Sequence, residues 1–207
     1  MFSRMPKRNF NQKFDRNLSN LLNRLPQGNV GYAIVGLNTL FYFLYCIWPP
    51  HNAFGFMNNF TFSMYGIHKG YLHNMLTCHF THMSFFSYLI DSVILFMFCQ
   101  NLSMMFGNVF VAKTVILSML LGSMFMFVHQ STQNINKSYH GNDAILRGLI
   151  FSLIFQNPSA QLMLFPIPVN IPAWAIAALL LTLDFLSFNT AAFGGVSASY
   201  IMVNHFL

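Results

Sequence analysis

Residues 77–96 read TCHFTHMSFFSYLIDSVILF, a start rich in histidine and hydroxyl groups that runs into an apolar stretch with one carboxylate, Asp91, inside it. Extended in both directions, the segment covers about residues 72–105, more than the roughly 20 residues that carry a helix across a bilayer. Polar residues at its start and a carboxylate well inside it set this span apart from a plain lipid anchor, because an ionisable group within such a helix costs at least about 2.5 kcal/mol and needs a partner.

The rest of the chain has the same character. Of its 207 residues 55% are hydrophobic and 7% are charged, against about 25% charged in an average soluble domain. Four aspartates (Asp15, Asp91, Asp143 and Asp184) and no glutamate cannot supply the mixed-sign surface that keeps a soluble domain dispersed. Hydropathy predicts further spans over 30–48, 109–128, 143–155, 173–186 and 191–206, the first closed by Pro49-Pro50, which cannot continue a helix. Residues 49–71 are too polar to span and too apolar to float free, which predicts a loop lying on the bilayer. The expected architecture is an all-α polytopic membrane protein: one six-transmembrane-helix bundle over residues 30–207, preceded by a basic tail over 1–29.

The net charge of +6 belongs to that tail. Arg4, Lys7, Arg8, Lys13, Arg16 and Arg24 all precede the first apolar segment, and no basic-aromatic array follows that would bind nucleic acid. Such a tail resembles a mitochondrial targeting segment in composition and is expected on the inner, matrix or cytoplasmic, side of its membrane. Basic polar tails seldom order themselves alone. Arg4, Lys7, Arg8, Lys13 and Arg16 are therefore read as contacts for an acidic partner subunit or for an anionic phospholipid such as cardiolipin. Cys46, Cys78 and Cys99 have no CxxC spacing, so neither a disulfide framework nor a zinc site is indicated. His79 and His82 fall three apart on the predicted second helix, but nothing completes a set of four ligands, and no metal or cofactor is expected.

Three stretches, in order, resemble the rhomboid family of intramembrane serine proteases. That family typically opens its second helix with Phe-x-His, places a second His and then an Asn deeper in it, begins the fourth with Gly-x-Ser-Gly and opens the sixth with a His-x-Gly-Gly type motif. Here Phe80-Thr81-His82 is present, but Ser87 stands in the place of the second His and Asp91 in that of the Asn. Gly141 and Gly148 are kept, while Asp143 stands where the serine would be and Ala144 where the second glycine would be. Gly194 and Gly195 are kept, with Ala192 in the position of the catalytic histidine. The run FPIPVNIPAW before the fifth helix also resembles the family's loop there.

The resemblance implies a rhomboid-like bundle in which Asp91 and Asp143 face one cavity. It also implies that a hydroxyl nucleophile, its base and the oxyanion donors are all replaced, so no rhomboid-type serine proteolysis is expected. A carboxylate pair acting as an aspartyl protease is disfavoured by the residues flanking both aspartates. The two carboxyls are expected to bond to His82, Ser87, Asn142 and water instead. Arg147, one turn beyond Asp143, has the i+4 spacing for an ion pair with it; the alternative is that Arg147 faces outward to a partner subunit or lipid. Ala191, Gly195 and Ser199 at four-residue spacing, with Ala144 and Gly148, predict close helix packing.

The expected function is that of a non-catalytic, rhomboid-like structural or accessory subunit of a large mitochondrial inner-membrane complex, of the respiratory chain or the ATP synthase. Its partners would be other membrane subunits and membrane lipids. The alternative is a pseudoprotease that binds transmembrane clients in quality control or trafficking. The end of the chain at Asn204-His205-Phe206-Leu207, directly after the last span, offers no appended recruiting segment and favours the first.

Overall fold

The computed structural model describes residues 12–22, 29–159, 161–163 and 170–206. Arg4, Lys7, Arg8 and Arg24 lie outside the described residues. Helix α1, Gln12–Leu22, occupies part of the segment read as a tail. It lies along the bundle, with Leu22 buried, Leu18 packed on the same apolar cluster and Asp15 paired to Lys113. Arg16 on this helix is exposed. Helix α2, Val30–Ile47, starts where the Asn29 side chain accepts from the Gly31 amide at 2.7 Å, satisfying an amide that the first turn leaves open. It stops at Trp48, before Pro49-Pro50.

The expected interfacial loop contains a 3₁₀ turn, Pro50–Asn52, and two short helices, α3 Ala53–Phe60 and α4 Met64–His68. Trp48 packs edge to face on Phe56 and Phe60, which are tilted against each other. The second span begins later than the sequence predicts. Residues 72–84 form a one-turn helix α5, Asn74–Thr77, a 3₁₀ turn Cys78–Phe80 and an extended link, and only then does α6, Phe85–Phe106, begin. The polar side chains of this link bond to backbone groups in place of a helical ladder. Thr81 Oγ1 donates to the carbonyls of Phe60 and Thr77, both at 3.0 Å. His79 Nε2 donates to the Met119 carbonyl at 3.0 Å, which pins the turn to the next helix. His79 and His82 therefore do not share a helix face.

Helix α7, Asn108–Gln133, follows Gly107, whose φ of 84° suits a residue without a Cβ, and ends at Asn134 in the left-handed region. Helix α8, Asp143–Gln156, leads into an antiparallel hairpin of β1, Gln161–Met163, and β2, Asn170–Pro172, the second strand falling within the FPIPVNIPAW run expected to be a loop. Residues 165–169 of the FPIPVNIPAW run lie outside the described residues. Helices α9, Ala173–Leu186, and α10, Thr190–Phe206, complete the all-α bundle.

Among the described residues three helices, α2, α6 and α7, are long and apolar enough to cross a membrane. Much of α2 and α6 faces outward with Leu40, Phe43, Ile90 and Met104 exposed. The centre of the molecule is built from small residues, because α10 lies against both α7 and α8. A Cβ on Gly195 would collide with the Ala144 carbonyl, one on Gly194 with the backbone of Gly122, and one on Gly148 with Ser118. Ala144, Gly148, Ala191, Gly195 and Ser199 are all buried at this junction. Below it a larger apolar core gathers Leu95, Cys99, Leu102, Val111, Val115 and Leu149.

Candidate functional site: polar groups at the head of the bundle

Asp143, Arg147 and Asp184 collect where the start of α8 meets the loop before it and the turn between α9 and α10, while Asp91 stands on α6. Asp143 occupies the first turn of α8. Its Oδ2 accepts from Asn189 Nδ2 at 2.9 Å and from the Tyr139 hydroxyl at 3.4 Å. Tyr139 is itself fixed by a two-way backbone bridge to Phe62, with N–O distances of 2.9 and 2.8 Å. Asn189 sits in the turn that opens α10, its amide bonded to the Asp184 carbonyl at 2.9 Å. One carboxylate thus ties three separate chain segments together.

Arg147 does not pair with Asp143, nor does it face outward. Its Nε and Nη2 donate to the two carboxylate oxygens of Asp184 at 2.6 and 2.8 Å, across 37 residues of chain. The side chains are 15% and 3% exposed. A guanidinium prefers a carboxylate that presents both oxygens side by side. Asp184, near the end of α9, does so, whereas an Oδ of Asp143 is already engaged by Asn189 and Tyr139.

Asp91 has partners of its own. His82 Nε2 donates to its Oδ2 at 3.2 Å and Ser87 Oγ donates to the same atom at 3.1 Å. No hydrogen bond joins Asp91 to Asp143 among the described residues. Asn142, expected to serve the carboxyls, bonds to neither, and its buried Oδ1 and Nδ2 have no hydrogen-bond partner among the described residues. The pKa of His140, in the loop before α8, is held below the ordinary histidine value, first by desolvation and then by the nearby His82, with Asp143 acting in the opposite sense. Ala192 is fully buried and presents only a methyl group.

Chemically this is an arrangement of fixed hydrogen bonds and one ion pair. Ser87 donates to Asp91, and among the described residues the one imidazole bonded to that carboxylate, His82, meets Asp91 and not the serine. Among the described residues no cluster of three or more His, Cys, Asp or Glu could hold a metal ion. Tyr139 and Asn189 were not singled out from sequence. Asn189 carried one signal, an amide residue in the short break between two apolar runs, where such residues favour turns.

Buried polar ties at the head of an apolar helical bundle define an integral membrane protein with a built intramembrane polar site. A family model described as the rhomboid domain matches residues 69–205, about two thirds of the chain. The chain belongs to the rhomboid family. No curated protein sequence matches it.

Proposed function

We propose that the chain is a non-catalytic rhomboid protein, a structural or accessory subunit of a large complex in the mitochondrial inner membrane, of the respiratory chain or the ATP synthase, with its N-terminus on the matrix side. The observation that carries this reading is the use of Asp143. It stands at the position that the family resemblance gives to the nucleophile, and it is bonded by Asn189 and Tyr139 as a tie between α8 and α10. Ala192, at the position of the base, cannot take a proton, and Ser87 and Asp91 replace the oxyanion donors. Side chains that would have to move freely against a substrate are here bonded to their own fold.

The basic N-terminal segment supports an inward orientation and an anionic partner surface. The exposed apolar faces of α2, α6 and α9 are suited to packing edge-on against helices of other subunits. Mild-detergent extraction of native membranes, followed by size separation and identification of co-migrating chains, tests the proposal. A constant ratio to one large respiratory or ATP-synthase complex is expected. A small free species, or a changing set of transmembrane clients, would overturn it in favour of a client-binding role.

A further inference from the structure

Lys113 of α7 marks the depth at which α1 joins the bundle. The apolar run of α7 ends at Val128, before His129-Gln130. About 20 residues of helix rise about 30 Å, the thickness of the hydrocarbon, which puts the opposite boundary near Val109 and Lys113 about 6 Å inside it. A lysine stem covers that distance and carries its ammonium to the boundary, and there Lys113 pairs with Asp15 of α1. The neighbouring helix gives the same level. Asn101 of α6 stands six residues before Gly107, as Lys113 stands six after it, and Gln100 and Asn101 are exposed. The Val30 amide donates to Asn108 Oδ1 at 3.5 Å, so α2 also starts at this end. Asp15, and Arg16 next to it, therefore lie where hydrocarbon meets headgroups.

Around its axis α1 divides into three sectors. At about 100° per residue, Leu18 and Leu22 project about 40° apart, Leu21 about 60° to one side of Leu18, and Arg16 on the other side, about 140° from Leu21. Leu18 and Leu22 pack on the core. Leu21 is 61% exposed. Arg16, Asn17 and Asn20 are exposed as well. Asp15 is the one carboxylate of the helix and is engaged by Lys113, while Arg16 makes no ion pair among the described residues. A helix with one apolar and one cationic flank is suited to lie in the surface of a membrane, and here a third face fastens it to the bundle.

We infer that α1 is a surface helix built into the fold, lying in the plane of the headgroups, with Leu21 among the acyl chains and the Arg16 guanidinium on the phosphate of an anionic phospholipid. The sequence leaves Arg16 two partners, an acidic subunit or an anionic lipid, and its depth beside an exposed leucine favours the lipid. A guanidinium meets a phosphate through two parallel hydrogen bonds. In phosphatidylcholine the headgroup's own cation neutralises that phosphate, and in phosphatidylglycerol nothing does. The inference holds for the chain alone and does not rest on its membership of a larger complex.

The test uses the full chain in vesicles of phosphatidylcholine, in a Cys46→Ser background where Cys78 and Cys99 are buried. A dye on Asn20→Cys donates energy to trace acceptor-labelled phosphatidylglycerol or phosphatidylcholine. Phosphatidylglycerol is expected to be enriched around the dye at least fivefold. Arg16→Gln, an exposed substitution, should lower that enrichment about fivefold, the effect of one basic residue at an anionic surface. A dye on Leu21→Cys should be quenched by brominated acyl chains, and the dye on Asn20→Cys by aqueous iodide. Equal transfer to the two lipids would overturn the inference, as would enrichment unchanged by Arg16→Gln. Iodide that reaches position 21 as readily as position 20 would show that the helix does not lie in the surface. A photo-crosslinker on Asn20→Cys that captures a protein subunit and no lipid in native membranes would give this face to an acidic partner and overturn the lipid assignment.

Discussion

Removing either member of the Arg147–Asp184 pair leaves a charge inside the bundle with nothing to bond. Breaking such a buried pair from one side costs about 3–5 kcal/mol, whereas replacing both partners by apolar groups is often neutral. Arg147→Met and Asp184→Leu are each expected to lower unfolding stability by about that amount, and the double variant to recover most of it; denaturation in mixed detergent micelles would read all three. Equal damage in the single and double variants would mean that the pair is not what stabilises this region. At Gly195 the opposite fault is expected. A valine there must force α10 off the Ala144 carbonyl, and overpacking of this kind costs about 1–3 kcal/mol, so Gly195→Val should melt earlier than Ser197→Val, whose side chain is half-exposed on the same helix. Intramembrane charge was legible in the sequence at Asp91, Asp143, Arg147 and Asp184. Their partners were not, because i+4 spacing is a rule about one helix, and the bidentate carboxylate that Arg147 takes is 37 residues away.

Helix α1 depends on the bundle for its place. Eleven residues are too few to hold a helix in water unaided, so its anchorage is Leu22 and Leu18 against the core and Asp15 against Lys113. Leu22→Asp is expected to release the helix, seen as faster amide exchange over residues 12–22 with α7 unchanged; protection that survives the substitution would place the anchor elsewhere. The apolar runs of α2, α8, α9 and α10 could be read from hydropathy almost to their ends, because burial in lipid and burial in the core both demand the same unbroken apolar composition. Residues 72–84 could not. No proline or charge separates their mixed polar and apolar residues from the apolar run of α6, and what stops the helix is a set of long-range bonds, Thr81 to Phe60 and His79 to Met119, that exist only once the neighbouring elements are in place.

At the scale of the whole molecule, the order of helices makes a topological prediction. If α8, α9 and α10 each cross the bilayer, residues 138 and 204 lie on opposite faces. In a Cys46→Ser background, where Cys78 and Cys99 are buried, thiols introduced by Ser138→Cys and Asn204→Cys should react with an impermeant reagent from opposite sides of sealed vesicles. Labelling from the same side would require an even number of crossings between them. The Arg147–Asp184 pair also bears on how the chain is made. Ribosomes add about 5–20 residues each second, so Arg147 emerges about 2–7 s before the aspartate 37 positions later. Throughout that interval α8 carries an uncompensated cation that opposes its release into lipid. If α8 enters the bilayer in the order of synthesis, that cost falls only when α9 brings Asp184, and the two helices are then expected to enter as a pair.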